Sequence, residues 1–335
     1  MATPIAQFSY DLPGSFIAQA PVEPRDHSRL MVLDRATGEA QDKHFFDLVD
    51  ELVAGDVLVF NTSKVFKARL TDGGVELFIL KIKDGAIEAL IKPGRKFPVG
   101  SALTLFDRNF IVDEVSLQGI CALKTNLSAM EMFAFCEEFG QVPTPPYVKA
   151  DPTLDAKYQN VYAKQVGSVA APTAGFHFTS ELLEKIKAKG VQIEEVVLHV
   201  GIGTFRPVQV ETLEEHVMHS EWVSLDESTA KRLRQAKSEG RRIIAVGTTT
   251  TRAIEGIANM LGALKAYEGE VNMFITPGYD FKIIDGLITN FHLPKSTLLV
   301  LVSAFAGRER ILAAYELAKQ LGYRFFSFGD AMFIR

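Results

Sequence analysis

The chain has 335 residues, of which 47% are hydrophobic and 23% charged, and a formal net charge of −5. That length exceeds one ordinary hydrophobic core and suits two, and the composition excludes disordered, collagenous and disulfide-stapled classes. The negative balance argues against a generic nucleic-acid binder, which carries a basic face, although a local basic patch can sit on an acidic chain. The longest apolar run, residues 298–305, is far too short to cross a bilayer, so no membrane association is expected. The first residues lack a basic stretch followed by an apolar one, and Cys121 and Cys136 have neither metal-type spacing nor a disulfide framework. A cytoplasmic protein with two reduced, buried or half-buried thiols is the expectation.

Along the chain, residues 30–34 read as a strand, 45–53 as a helix and 56–61 as a strand. The texture then changes to short β runs with turn signals. Residues 75–82 and 86–91 predict a hairpin with Asp84-Gly85 at its tip, and 103–106, 110–115 and 121–124 continue the pattern. Such a series of short strands predicts a small β-barrel. Residues 128–139 predict a helix capped by Ser128, followed by the stiff, extended Val142-Pro-Thr-Pro-Pro-Tyr147. Helices and strands alternate afterwards. Helices are predicted at 180–189, closed by Gly190, at 227–239, closed by Gly240, and at 249–261 and 308–320. Strands are predicted at 191–200, 242–246, 271–275, 287–291 and 323–328. Apolar strands between amphipathic helices predict an α/β fold with a mostly parallel, covered sheet in three layers. The β-barrel, residues 63–151, is expected as an insertion between the α/β segments 1–62 and 152–335, the latter catalytic.

Polar and glycine residues gather where strands of the second half end, the usual ligand edge of an open α/β sheet. One such loop, residues 170–179, holds Thr173, Gly175 and His177 and runs into a helix, whose N–H groups suit an anion. Others hold His199 with Gly201, Gly203 and Thr204; His216, His219 and Glu221; Gly247, Thr248, Thr249 and Arg252; and Asn290 with His292. Five of the seven histidines fall in these turns. One histidine alone is an ordinary hydrogen-bonded group, but together they suggest an active-site lining. His216, His219 and Glu221 have ligand-like spacing, yet no HExxH arrangement or cysteine partner accompanies them, and the reading favours no metal. Gly201-Ile-Gly203 lacks the third glycine of a dinucleotide fingerprint, and Val246-Gly-Thr-Thr has no Walker lysine. The basic runs Lys64-Val-Phe-Lys67-Ala-Arg69 and Lys92-Pro-Gly-Arg95-Lys96 read, from charge alone, as ordinary solvated side chains.

Several blocks resemble the S-adenosylmethionine:tRNA ribosyltransferase-isomerase family of queuosine biosynthesis. They are Asp11-Leu-Pro, Pro24-Arg-Asp-His-Ser-Arg-Leu30, Ala171-Pro-Thr-Ala-Gly-Phe-His-Phe178, Leu198-His-Val-Gly-Ile-Gly-Thr-Phe205, His216-Val-Met-His-Ser-Glu221, Ala245-Val-Gly-Thr-Thr249, Ile288-Thr-Asn-Phe-His-Leu-Pro-Lys-Ser296 and Phe326-Ser-Phe-Gly-Asp-Ala-Met332. The stretch from Asn61 to Leu70 differs from the family's usual pattern at several places, and Thr144 stands where leucine is common. The resemblance implies S-adenosylmethionine as co-substrate, with no tightly bound cofactor. Its ribosyl part moves to the aminomethyl group of 7-aminomethyl-7-deazaguanine in a tRNA anticodon and rearranges to an epoxycyclopentanediol. Adenine and methionine leave.

That chemistry asks for a base at the C5′ protons beside the sulfonium, a second base at the attacking amine and an acid for adenine. The expected acid/base and catalytic groups are His177, His219, His199, Glu221 and Asp330. Expected to hold S-adenosylmethionine are Thr173, Gly175, Gly201, Gly203, Thr204, Gly247, Thr248, Thr249, Asn290 and His292, with the fork of Arg252 on the methionine carboxylate. Arg69, Lys92, Arg95, Lys96, Tyr158 and Tyr162 are the expected tRNA contacts, where unstacked anticodon bases can be extruded. A monomer is expected. Two other classes stay open: a metal-dependent hydrolase built on His216, His219 and Glu221, and a non-catalytic RNA-binding module.

Overall fold

The structure, a computed structural model, describes residues 2–144, 147–148, 152–201 and 210–335. Its first strands are β1 (Arg29–Leu33) and β2 (Ala40–His44), then the short helix α1 (Leu48–Glu51), β3 (Val57–Asn61) and β4 (Ser63–Val65). Six strands follow: β5 (Arg69–Asp72), β6 (Val75–Lys83), β7 (Ala86–Lys92), β8 (Ala102–Leu105), β9 (Arg108–Val115) and β10 (Cys121–Lys124), then α2 (Ala129–Phe139). The remainder is β11 (Gln165–Ser168), α3 (Ser180–Ala188), β12 (Gln192–Leu198), β13 (Glu221–Leu225), α4 (Glu227–Ser238), β14 (Ile243–Val246), α5 (Thr248–Leu261), β15 (Tyr267–Val271), β16 (Gly286–Asn290), α6 (Thr297–Ala306), α7 (Arg308–Gln320) and β17 (Ala331–Ile334).

Nine strands form one sheet in the order β15-β13-β12-β3-β14-β16-β17-β1-β2. It is mixed rather than mostly parallel. The central quartet β12-β3-β14-β16 is parallel throughout, whereas β13, β15, β17 and β2 each pair antiparallel with a neighbour. Alternation along each strand makes the layers, because successive side chains point to opposite faces. Ile243 and Ala245 of β14 face α4–α7, while Ile244 and Val246 face α1 and α3. The apolar run at 298–305 is therefore α6, a helix buried on nearly every side inside the larger of these cores. Among the described residues no helix is long and apolar enough to cross a membrane.

The six strands β5-β6-β7-β10-β9-β8 curl into a second, wholly antiparallel sheet. Its ends approach where the Phe106 N–H donates to Asp72 Oδ2 at 2.8 Å, so the sheet is nearly a closed barrel. Ile87, Ala89 and Ile91 of β7 point into a separate core that Met132, Phe135 and Cys136 of α2 help to fill. Ser128 accepts the N–H of Glu131, whose carboxylate takes the Ser128 N–H in return, a capping box that starts α2 where the serine predicts it. Burial pushes the Cys136 thiol up to about 12, which leaves it an inert packing group.

Five elements depart from expectation. The helix expected at 45–53 is a 3-10 turn plus the single turn of α1. Residues 323–328 are not a strand. Phe326 adopts φ 72°, which breaks the extended path, and the last strand is instead β17, which lies inside the sheet between β16 and β1. The strand placed at 271–275 lies earlier, as β15. The strands β2 and β13 carry too little apolar alternation to be read: β2 is Ala-Gln-Asp-Lys-His at a sheet edge.

Candidate active site

The four parallel strands end on the same edge, and a cleft opens there. It is lined by Thr173 and Ala174, by Gly247, Thr248 and Thr249 after β14, by Thr289 and Asn290 at the end of β16 and Phe291 to Leu293 beyond it, by Ser296, and by Tyr147 and Ser327. Open α/β sheets bind ligands outside the carboxyl ends of their strands for this reason of topology. Gly247 makes the turn from β14 into α5 at φ 94°, a left-handed value that disfavours any residue with a Cβ. No side chain caps it, so the first N–H groups of α5, at the positive end of a 14-residue helix, are left for a ligand. Thr250 and Thr251 turn their hydroxyls back to the carbonyls of Val246 and Gly247, while Thr249 Oγ1 accepts from the Asn61 amide at 3.2 Å.

Asn290 is fixed from three sides. Its Oδ1 accepts from Thr173 Oγ1 at 3.1 Å, and its amide donates to the Phe326 carbonyl at 3.2 Å and to His177 Nε2 at 3.1 Å. His177 therefore carries its proton on Nδ1, which lies 2.7 Å from Ser28 Oγ. The ring is buried behind Asn290 with both nitrogens engaged, and it does not line the cleft. Burial, and then the charges of Arg324 and Arg25, push His177 down to about 3. His292, whose Nε2 is 2.8 Å from Thr289 Oγ1, is pushed by burial to about 3 as well. His199 sits elsewhere, in a groove between the two sheets. Its Nδ1 is 2.7 Å from Ser63 Oγ, its ring stacks on Trp222, and burial lowers it to about 4.

These three rings are neutral in the fold but titrate near 6.5 once unfolded. The unfolded chain thus binds more protons between those values, the penalty is absent above pH 6.5, and stability is lost as pH falls through the window. Each ring contributes up to about 1.4 kcal/mol per pH unit. Urea unfolding at pH 7.5 and 5.5 should give a clearly smaller free energy at the lower pH. Equal values would mean that burial does not keep the rings neutral.

Other expected site residues have structural partners. Arg252 is buried in an ion pair with Glu221 at 2.5 Å, and its Nε donates to the Met273 carbonyl, so its fork is not open to a substrate carboxylate. Glu221 Oε1 also accepts the Gly201 N–H at 3.3 Å. Asp330 accepts the N–H groups of Arg29 and Arg324 at 3.0 and 2.7 Å and holds the turn before β17. His219 is half-buried beside His216, whose ring is lowered by burial and then by His219. Among the described residues no group of three histidine, cysteine or carboxylate side chains could hold a metal, and Glu221 is already committed to Arg252. Gly203 and Thr204 lie outside the described residues. A Cβ on Gly175 would stand 1.8 Å from Tyr162 Oη, so this glycine permits a close packing contact rather than a ligand contact.

On the expected tRNA side, Tyr158 has no exposed surface and packs against Phe176 and Phe328, so its ring is not available to a base. The Tyr162 hydroxyl is buried as well. Arg69 is paired with Glu76 at 2.8 Å, and Lys92 reaches the same carboxylate at 3.1 Å. Lys92, Arg95 and Lys96 are exposed together at the end of β7 and the turn after it. Sequence reading missed Ser28, Asn61, Ser63 and Ser327, whose small polar side chains carry no signal until the fold supplies their partners.

A mixed α/β sheet with a polar cleft at its strand ends, fronted by a helix N-terminus that no side chain caps, is the architecture of an enzyme that binds a small co-substrate. The model of a family described as queuosine biosynthesis protein matches residues 5–334. A protein of Moorella thermoacetica, S-adenosylmethionine:tRNA ribosyltransferase-isomerase, is 48% identical over 340 residues, covering 98% of this chain and 99% of its own. A protein of the same name from Heliobacterium modesticaldum is 49% identical over 342 residues, with the same coverage. The crystal structure of S-adenosylmethionine tRNA ribosyltransferase from Thermotoga maritima is 38% identical, covers 98% of this chain and 100% of its own, and superposes with a TM-score of 0.60. The chain belongs to the queuosine biosynthesis family.

Proposed function

We propose that this chain is an S-adenosylmethionine:tRNA ribosyltransferase-isomerase. It moves the ribosyl part of S-adenosylmethionine onto 7-aminomethyl-7-deazaguanine in a tRNA anticodon and isomerises it to the epoxyqueuosine ring, releasing adenine and methionine. The observation that carries this reading is 48% identity over nearly the whole of both chains to a protein of that name. S-adenosylmethionine acts as co-substrate, and the reaction needs bases rather than a Lewis acid. The α5 N-terminus, with Thr248 and Thr249, takes the methionine carboxylate, because uncapped N–H groups and the helix dipole both favour an anion. Arg252 stays with Glu221. His177 orients Asn290. His199 is the acid/base group, since it faces a groove and, among the described residues, its Nε2 has no hydrogen-bond partner. His219 is the candidate for a second base. The reaction sets the test: adenine and methionine should appear in equal amounts and only with precursor-bearing tRNA. Accumulation of S-adenosylhomocysteine would mean methyl transfer and would sink the reading.

The barrel, with boundaries near residues 63 and 151, is the tRNA-holding unit, and the α/β segments 1–62 and 152–335 carry the chemistry. A tRNA substrate and two buried free thiols fit a cytoplasmic site of action. Lys92, Arg95 and Lys96 meet the RNA phosphates. Changing all three to alanine should weaken tRNA binding and flatten its salt dependence by about 0.7–0.9 for each phosphate that is no longer neutralised. Binding of S-adenosylmethionine alone should stay as in the wild type. An unchanged salt slope would remove the patch from the interface.

A further inference from the structure

A second concavity, of about 370 Å³, opens between the two sheets. One wall is β6 and the other is the ends of β12 and β13 with His199 and Trp222. Three features of this groove suit a ligand. The first is a flat aromatic platform. Trp222 is half-buried on the face of β13 opposite the core residues Val223 and Leu225, and its ring lies 4.9 Å from that of His199 with planes 15° apart. Gly167 makes room for this pair: a Cβ there would stand 2.4 Å from His199 Nε2. The second is position. Val200 lines both this groove and the cleft, so molecules held in the two would be separated by little more than one side chain, as transfer of a group between them requires. The third is charge. Lys81 and Lys83 of β6 stand on the rim; Lys81 bridges to Glu270 of the other sheet at 2.9 Å, and Lys83 is exposed. A planar stacking face beside rim cations is the chemistry of an unstacked base on its phosphate backbone.

The geometry points to this groove as the pocket for the extruded target nucleobase, stacked on Trp222 and facing the S-adenosylmethionine cleft across Val200. The assignment rests on the proposed tRNA reaction and adds the place where the acceptor base is held. His199, the Gln165 amide and the Ser220 hydroxyl are among the polar groups of the groove lining that can meet the base edge. The attacking amine of that base would then lie beside the imidazole proposed to take its proton.

Trp222 is the only tryptophan of the chain, so its fluorescence reports on the groove alone. The full-length protein is titrated with an anticodon stem-loop carrying 7-aminomethyl-7-deazaguanine, and with the same stem-loop made abasic at that position. The base-bearing RNA should quench Trp222, and the abasic RNA should bind through its phosphates without doing so. Trp222→Ala should raise the Kd for the base-bearing RNA by roughly 5- to 150-fold, the worth of one base–aromatic stack. Trp222→Phe should recover most of that loss, and the abasic RNA should bind all three proteins alike. Equal quenching by both RNAs, quenching by neither, or wild-type affinity of Trp222→Ala would overturn the pocket. Adenine and methionine release by the wild type is followed on the same RNA. Turnover without a base-dependent quench removes the pocket and keeps the reaction, whereas a base-dependent quench without turnover keeps the pocket and removes the reaction.

Discussion

Replacing His199 with alanine is expected to lower turnover by roughly two to four orders of magnitude, the usual loss for a general acid or base. Burial holds the imidazole near 4, so at neutral pH it is unprotonated, the form a base requires. Ser63 occupies Nδ1, which fixes the ring, and Nε2 lies beside Gly167 in the groove lining. His177 makes a contrast within the same protein. Its Nδ1 and Nε2 are consumed by Ser28 and Asn290, so its loss acts through the tilt of Asn290 and not through proton transfer. Single-turnover rates across pH separate the two. His199→Ala should remove an ionisation from the profile, while His177→Ala should lower the rate and leave the profile's shape intact. If His199→Ala turns over normally, the base lies elsewhere, and His219 is the next residue to replace.

Glu221→Ala is expected to destabilise the fold by about 3–5 kcal/mol, because removing one partner of a buried pair leaves the other charge uncompensated. Arg252 and Glu221 are 3% and 5% exposed, so water cannot replace the missing carboxylate. The Gly201 N–H would be left without its acceptor at the same time. Combining Glu221→Ala with Arg252→Leu should restore much of the stability, since the stranded charge goes with its partner. Urea unfolding of the wild type, both single variants and the double variant makes the cycle. Additive effects would show that the pair is not coupled and that Arg252 is free to meet a ligand after all.

What the residues alone decide is local. Period-two alternation and Asp84-Gly85 define the β6–β7 hairpin, because the pattern and the turn chemistry both lie within a few residues of each other. Ser128 with Glu131 starts α2 for the same reason, and Gly247 before a run of threonines marks the strand–turn–helix that fronts the cleft. The histidines cluster at strand ends, the edge at which open α/β sheets take ligands, and that much is legible without the fold.

Tertiary structure alone decides which of those residues face a ligand. His177 and Ser28 meet across 149 positions of sequence, and Arg252 and Glu221 across 31, so neither the buried tautomer nor the closed ion pair has a local signature. Tyr158 looks like a stacking residue in the chain and is a core residue in the fold. Trp222 follows a cluster of polar residues and becomes a groove wall only when β6 of the second sheet comes to stand opposite it. Periodicity and turn propensity act over a few neighbours, whereas burial and hydrogen-bond pairing depend on which distant strands are brought edge to edge.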